Sequence, residues 1–73
     1  MNSAEIYRGF EISWEEPPLT SAQWTANVAS DDPALYDKMC RYRGGRHGAE
    51  VIDGGTREEM HANAKAYIDK FLG

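Results

Sequence analysis

At 73 residues the chain has room for one domain and not for two. Folding at this size removes only ~60% of the unfolded surface from water. A tight core, a staple or a second chain must therefore supply the margin. One cysteine, Cys40, excludes an intrachain disulfide, and a net charge of −4 weighs against a general nucleic-acid binder.

Ile6 to Trp14 alternates. Ile6, Phe10, Ile12 and Trp14 share one face, with Arg8 the exception, while Tyr7, Gly9, Glu11 and Ser13 share the other. Period two with aromatic and β-branched residues predicts a strand with one buried face. Glu15-Glu-Pro-Pro18 ends it, because proline cannot donate to a ladder. Residues 23–29 alternate again, with Trp24, Ala26 and Val28 set against Gln23, Thr25 and Asn27. The two runs are expected to pair as an antiparallel hairpin with a long loop, and Trp14 and Trp24 to pack in or beside the core.

Asp31-Asp32-Pro33 has the form of a helix start, because Asp32 can cap and proline suits the first helical position. Leu35, Met39 and Tyr42 would then share a face of a short helix over 33–42; an irregular strand extension is the rival reading. Gly44 and Gly45 break either one. His47 to Asp53 reads as a short strand anchored by Val51 and Ile52, and Gly54-Gly55 as a turn. Thr56 with Glu59 three residues on can form a capping box. Met60, Ala64, Tyr67, Ile68, Phe71 and Leu72 then make one apolar helical stripe.

The sum is a single α+β domain over 1–73, in the order β-β-(short α)-β-α. The C-terminal helix packs on one face of a small antiparallel sheet. The other face would carry Tyr7, Glu11, Thr25 and Asn27, exposed or covered by a second chain.

Gly55-Thr-Arg-Glu-Glu-Met-His-Ala-Asn-Ala-Lys-Ala-Tyr-Ile68 is similar to the strand-to-helix element of HicB-type antitoxins, although no proline-rich segment precedes it. That resemblance implies an antitoxin-like role. Tyr7-Arg-Gly-Phe10, Trp24-Thr-Ala-Asn-Val28, Thr56-Arg-Glu-Glu59 and Ile68-Asp69 resemble a group of small, uncharacterised bacterial β-β-β-α proteins. That likeness implies the fold and a bacterial origin and carries no site residues.

Lys38, Arg41, Arg43, Arg46 and His47 crowd one segment beside Tyr42. Clustered bases next to an aromatic suit phosphate and single-stranded nucleic acid. The competing reading is a solvated face that balances the acidic half. Residues 1–37 carry seven acids and one base, and residues 38–73 seven bases and five acids. A double-stranded RNA-binding domain needs bases at the start of its last helix, where Glu58 and Glu59 stand here.

Cys40 with His47 or His61 would supply a thiol and a base. No third orienting group is evident, so Cys40 reads as an apolar filler and His61 as a surface histidine. No catalytic, cofactor or metal set emerges. The opening Met-Asn-Ser-Ala-Glu lacks the regions of a signal peptide, and no apolar run reaches the ~20 residues of a membrane span.

The favoured reading is a cytoplasmic, non-enzymatic module that binds a protein or itself. Nucleic-acid binding through 38–47 is the alternative.

Overall fold

The computed structural model of the chain describes residues 1–20 and 22–73. Its elements are β1 (Asn2–Tyr7), β2 (Phe10–Glu15), β3 (Trp24–Ala29), α1 (Pro33–Tyr42), β4 (Glu50–Gly54) and α2 (Arg57–Leu72). The four strands form one antiparallel sheet in the order β1-β2-β3-β4, and α2 packs across one face of it. This is an α+β fold.

The run expected as one strand from Ile6 to Trp14 is two strands joined by a hairpin. Arg8 and Gly9 both hold positive φ, at 51° and 87°, as a two-residue reversal of the primed type requires. The order is therefore β-β-β-α-β-α. The reversal pairs Tyr7 with Phe10 and Ile6 with Glu11. Tyr7 thus joins the helix-covered face and Ile6 leaves it, opposite to the expected placement of both. Ile6 is 68% exposed. Strand β4 also starts later than expected, leaving His47 and Gly48 in the preceding loop.

The core lies between the sheet and α2. Phe10, Ile12 and Trp14 from β2, Ala26 and Val28 from β3, and Met60, Ala64 and Ile68 from α2 are buried together with Met39 of α1. These are the inward residues of two period-two strands and one helical stripe, so each element loses its apolar side to the same interior. Aromatic rings tie α1 to α2. Phe71 meets Phe10 edge-on at 5.3 Å, and Tyr42 and Tyr67 flank Phe71 at 5.5 and 5.4 Å. Burial pushes the Tyr67 hydroxyl up to about 12, and the Glu50 carboxylate adds to the shift.

Both helix starts follow the expected chemistry. Asp32 Oδ1 accepts from the backbone N–H of Ala34 at 2.9 Å, with Pro33 as the first helical residue. Thr56 Oγ1 accepts from Glu59 N–H at 3.0 Å. Glu59 reaches back one residue further than a capping box requires and takes the Gly55 N–H at 2.9 Å. Gly54, buried beneath this helix start, leaves no room for a side chain: a Cβ there would lie 2.7 Å from Met60 Cα.

Strand β1 is held differently. None of its side chains is fully buried. Its inward residues and the turn bind α2 through polar groups. Glu5 meets His61 Nδ1 at 3.3 Å and Lys65 Nζ at 3.2 Å. The Tyr7 hydroxyl and Arg8 both donate to Asp69, at 3.0 and 2.8 Å. Those two donors, Arg8 foremost, hold the Asp69 carboxyl below the usual carboxylate range.

Candidate functional site

The arginines of the basic segment are engaged within the chain, while Lys38, Arg41 and Arg46 stay exposed. Arg41 pairs with Asp37 at 2.9 Å along its own helix. The Arg43 side chain is 9% exposed, lies 3.4 Å from the Glu50 carboxylate and donates to Gly48 O at 2.6 Å. Arg46 donates from Nε to Arg43 O at 3.3 Å, which closes the loop. His47 stacks on Tyr36 with ring centroids 6.2 Å apart. Lys38 is exposed on α1. The three arginines thus bind their own chain: Lys38 and Arg41 stand on the second half of α1, and Arg43 and Arg46 tie down the loop that follows it.

Of the two thiol–histidine pairings, the structure forms the one with His47 and not the one with His61. Cys40 Sγ is buried and 3.8 Å from His47 Nδ1. His61 sits on α2 with its ring edge-on to Trp14 at 4.3 Å. It is only 23% exposed at its side chain, so the expectation of a surface histidine is corrected: the Glu5 carboxylate and the Trp14 ring draw it onto the sheet. Among the described residues no group of three or more His, Cys, Asp or Glu is placed to hold a metal.

A broad concavity lies on the face of the sheet that no helix covers. It is a trough of about 760 Å³ across β1, β2 and β3, closed at one end by Pro18, Leu19 and Thr20 of the β2–β3 loop. Its floor is made of short side chains. Ala4 pairs with Ser13, and Ser13 with Asn27, so one cross-strand row presents Ala, Ser and Asn side by side. The next row sets Ile6 against Glu11 and Glu11 against Ala29. Glu15 lies two residues beyond Ser13, on the same face, and Thr25 pairs with Asp53.

Two properties mark this face. Ile6, Val51 and Leu19 stand out from it at 68%, 54% and 91% exposure. Its ionisable side chains are Glu11, Glu15 and Asp53, and no lysine or arginine belongs to the strand residues that form it. The Met1 amino group lies 4.0 Å from Glu15, and the Thr25 hydroxyl donates weakly to Asp53 at 3.4 Å. The helical layer holds the bases: Lys38 and Arg41 on α1, and Arg57, Lys65 and Lys70 on α2.

No protein-family model matches the chain, and comparison with curated proteins and with solved structures finds no match. The likenesses to HicB-type antitoxins and to small bacterial β-β-β-α proteins therefore rest on their short motifs alone. No helix among the described residues is long and apolar enough to cross a membrane.

Reading by period placed Glu11, Thr25 and Asn27 on this face correctly and missed the trough itself. Its walls come from three strands and a loop, each giving one or two short polar residues without a motif. The usable signal was the repeated small residue, Ala4, Ser13 and Ala29, at outward positions where longer polar side chains are usual on a solvated sheet face.

Proposed function

We propose that this chain is a non-enzymatic protein-interaction module whose docking surface is the open face of the sheet. One observation carries the reading. A four-stranded sheet keeps one whole face clear of the helices, and that face combines a trough with the exposed Ile6, Val51 and Leu19. Exposed apolar groups rimmed by polar ones are a mark of interaction surfaces. The likeness of the α2 opening to HicB-type antitoxins agrees with a small chain that covers a second protein. The single free thiol of Cys40 fits a reducing compartment, and we assign the role to the cytoplasm.

The like charge of the face argues against its packing on a second copy of itself. A two-fold contact sets the same patch against its twin, so Glu11, Glu15 and Asp53 would oppose their own images. The basic 38–47 segment gains no comparable support, because Arg41, Arg43 and Arg46 are engaged within the chain.

The test is a pair of bulky substitutions. Ser13→Trp fills the trough, and Ala62→Trp adds the same bulk to the exposed side of α2. A partner retained from host cells by the wild type and by Ala62→Trp, and lost by Ser13→Trp, is the expected result. Retention that depends on Ala62, or on Lys38 and Arg46, would move the interface to the helical layer and end this reading.

A further inference from the structure

We infer that the open face takes an extended polypeptide segment with two basic side chains four residues apart and a small residue midway between them. The inference rests on the open-face reading and names the partner's chemistry.

Glu11 and Glu15 lie on one strand, both outward, four residues apart. At a rise of ~3.3 Å per residue their Cα atoms are about 13 Å apart. An extended segment lying along β2 repeats that spacing, since its residues i, i+2 and i+4 all point to one side. Its middle residue meets Ser13, which Ala4 and Asn27 flank. These short side chains let the backbone of the segment settle close to the sheet.

The neighbours of each acid specify a long amphipathic side chain rather than a bare cation. Glu11 pairs with Ile6, which is 68% exposed. Glu15 lines the trough together with Pro18 and Leu19, the latter 91% exposed, and its one cationic neighbour is the exposed Met1 amino group at 4.0 Å, a long surface contact that an incoming side chain can replace. Lysine and arginine lay apolar stems along such surface while the charged head finds a carboxylate. Asp53, at the far side of the sheet, extends the field of one sign and helps draw a basic segment in.

Other occupants fit less well. An acidic or phosphorylated segment meets repulsion from all three carboxylates. A second copy would offer its helical layer, where Arg41, Arg57 and Lys65 already pair with Asp37, Glu16 and Glu5 and where Lys38 and Lys70 lie on different helices.

The probe is a capped nine-residue peptide of threonine and alanine with lysine at its third and seventh positions. Three controls replace both lysines by glutamine, replace both by glutamate, or move the second lysine to the sixth position, on the opposite side of an extended chain. Amide shifts of the full chain are followed by NMR as each is added. The spaced-lysine peptide should move Glu11, Ser13, Glu15 and Asn27. It should bind roughly three- to thirtyfold more tightly than the glutamine peptide, as two exposed ion pairs allow. Added salt, or Glu11→Gln with Glu15→Gln, should remove that advantage.

Equal binding of the glutamine peptide overturns the inference and leaves the open-face reading standing. Shifts confined to Asp37 or Glu58, or no shift with any peptide, also overturn it, and Ser13→Trp then decides the open-face reading separately. Self-assembly of the protein that the same two substitutions abolish would overturn it in favour of a second copy.

Discussion

The two faces of this sheet are built from the same strands and do opposite things. On the covered face Phe10, Ile12, Ala26 and Val28 are fully buried against Met60, Ala64 and Ile68. On the open face the residues between them, Glu11, Ser13 and Asn27, pack under no element and line a trough. Alternation separates the two tasks residue by residue. Inward side chains supply the burial that holds a small domain together, and outward ones are released from that duty. Strand β1 modifies the contrast. Its inward side is polar, and Glu5, Tyr7 and Arg8 attach it to α2 through His61, Lys65 and Asp69 in place of apolar contact.

The contrast breaks first if the covered face tolerates truncation. Phe10→Ala removes a fully buried ring in contact with Phe71 and should cost ~3–5 kcal/mol, enough to leave a chain this small largely unfolded. A well-dispersed amide spectrum for that variant would refute the core. Gly54→Ala comes next. Its Cβ would meet the backbone of Met60 and Glu59, and forcing them apart should cost about 1–3 kcal/mol in chemical denaturation. Thr56→Ala removes the acceptor for the Glu59 N–H at a cost of ~1 kcal/mol. That should lower the melting temperature by roughly 4–8 °C. A variant that melts with the wild type would void the cap.

The β1 attachment gives a smaller effect that depends on pH. The folded Asp69 carboxyl lies below its ordinary value because Arg8 and Tyr7 donate to it. Its contribution is present in full above the ordinary carboxylate value of ~3.9 and is lost as pH falls through the lower, folded value. Amide exchange in β1 should therefore quicken below about pH 4 relative to exchange in β2. In Asp69→Asn the β1 amides should already exchange fast at neutral pH, and acid should add less. Equal acid sensitivity of β1 in the two proteins would show that Asp69 does not fasten the strand.

How much of this was legible in the sequence depended on whether the signal was local. Helix α2 was readable from Thr56 to Leu72 because its cap and its stripe are properties of consecutive residues, and α1 was readable from Asp32-Pro33. The Arg8-Gly9 reversal was not. Its first residue is an arginine at positive φ, where Asn or Gly is usual, and Ile6, Phe10, Ile12 and Trp14 happen to keep period two across the turn. Arg8, the one charged residue in that apolar register, was the visible break. The basic segment is the converse case. Its residues are close in sequence, but Asp37, Glu50 and the backbone oxygens of Arg43 and Gly48 claim its three arginines in space. The trough depends on cross-strand register, which no single stretch of sequence carries.

The most direct test asks whether the open-face acids serve the fold. The triple variant Glu11→Gln, Glu15→Gln and Asp53→Asn changes that face alone. Surface substitutions away from structural contacts stay within about ±0.5 kcal/mol, and removing like charges offsets the loss of the weak Thr25–Asp53 contact and of the long, exposed Met1–Glu15 pair. The account predicts a melting temperature equal to or slightly above that of the wild type, together with loss of the partner or peptide that the wild type binds. A clear fall in melting temperature, or unchanged binding, would contradict the division of labour between the two faces.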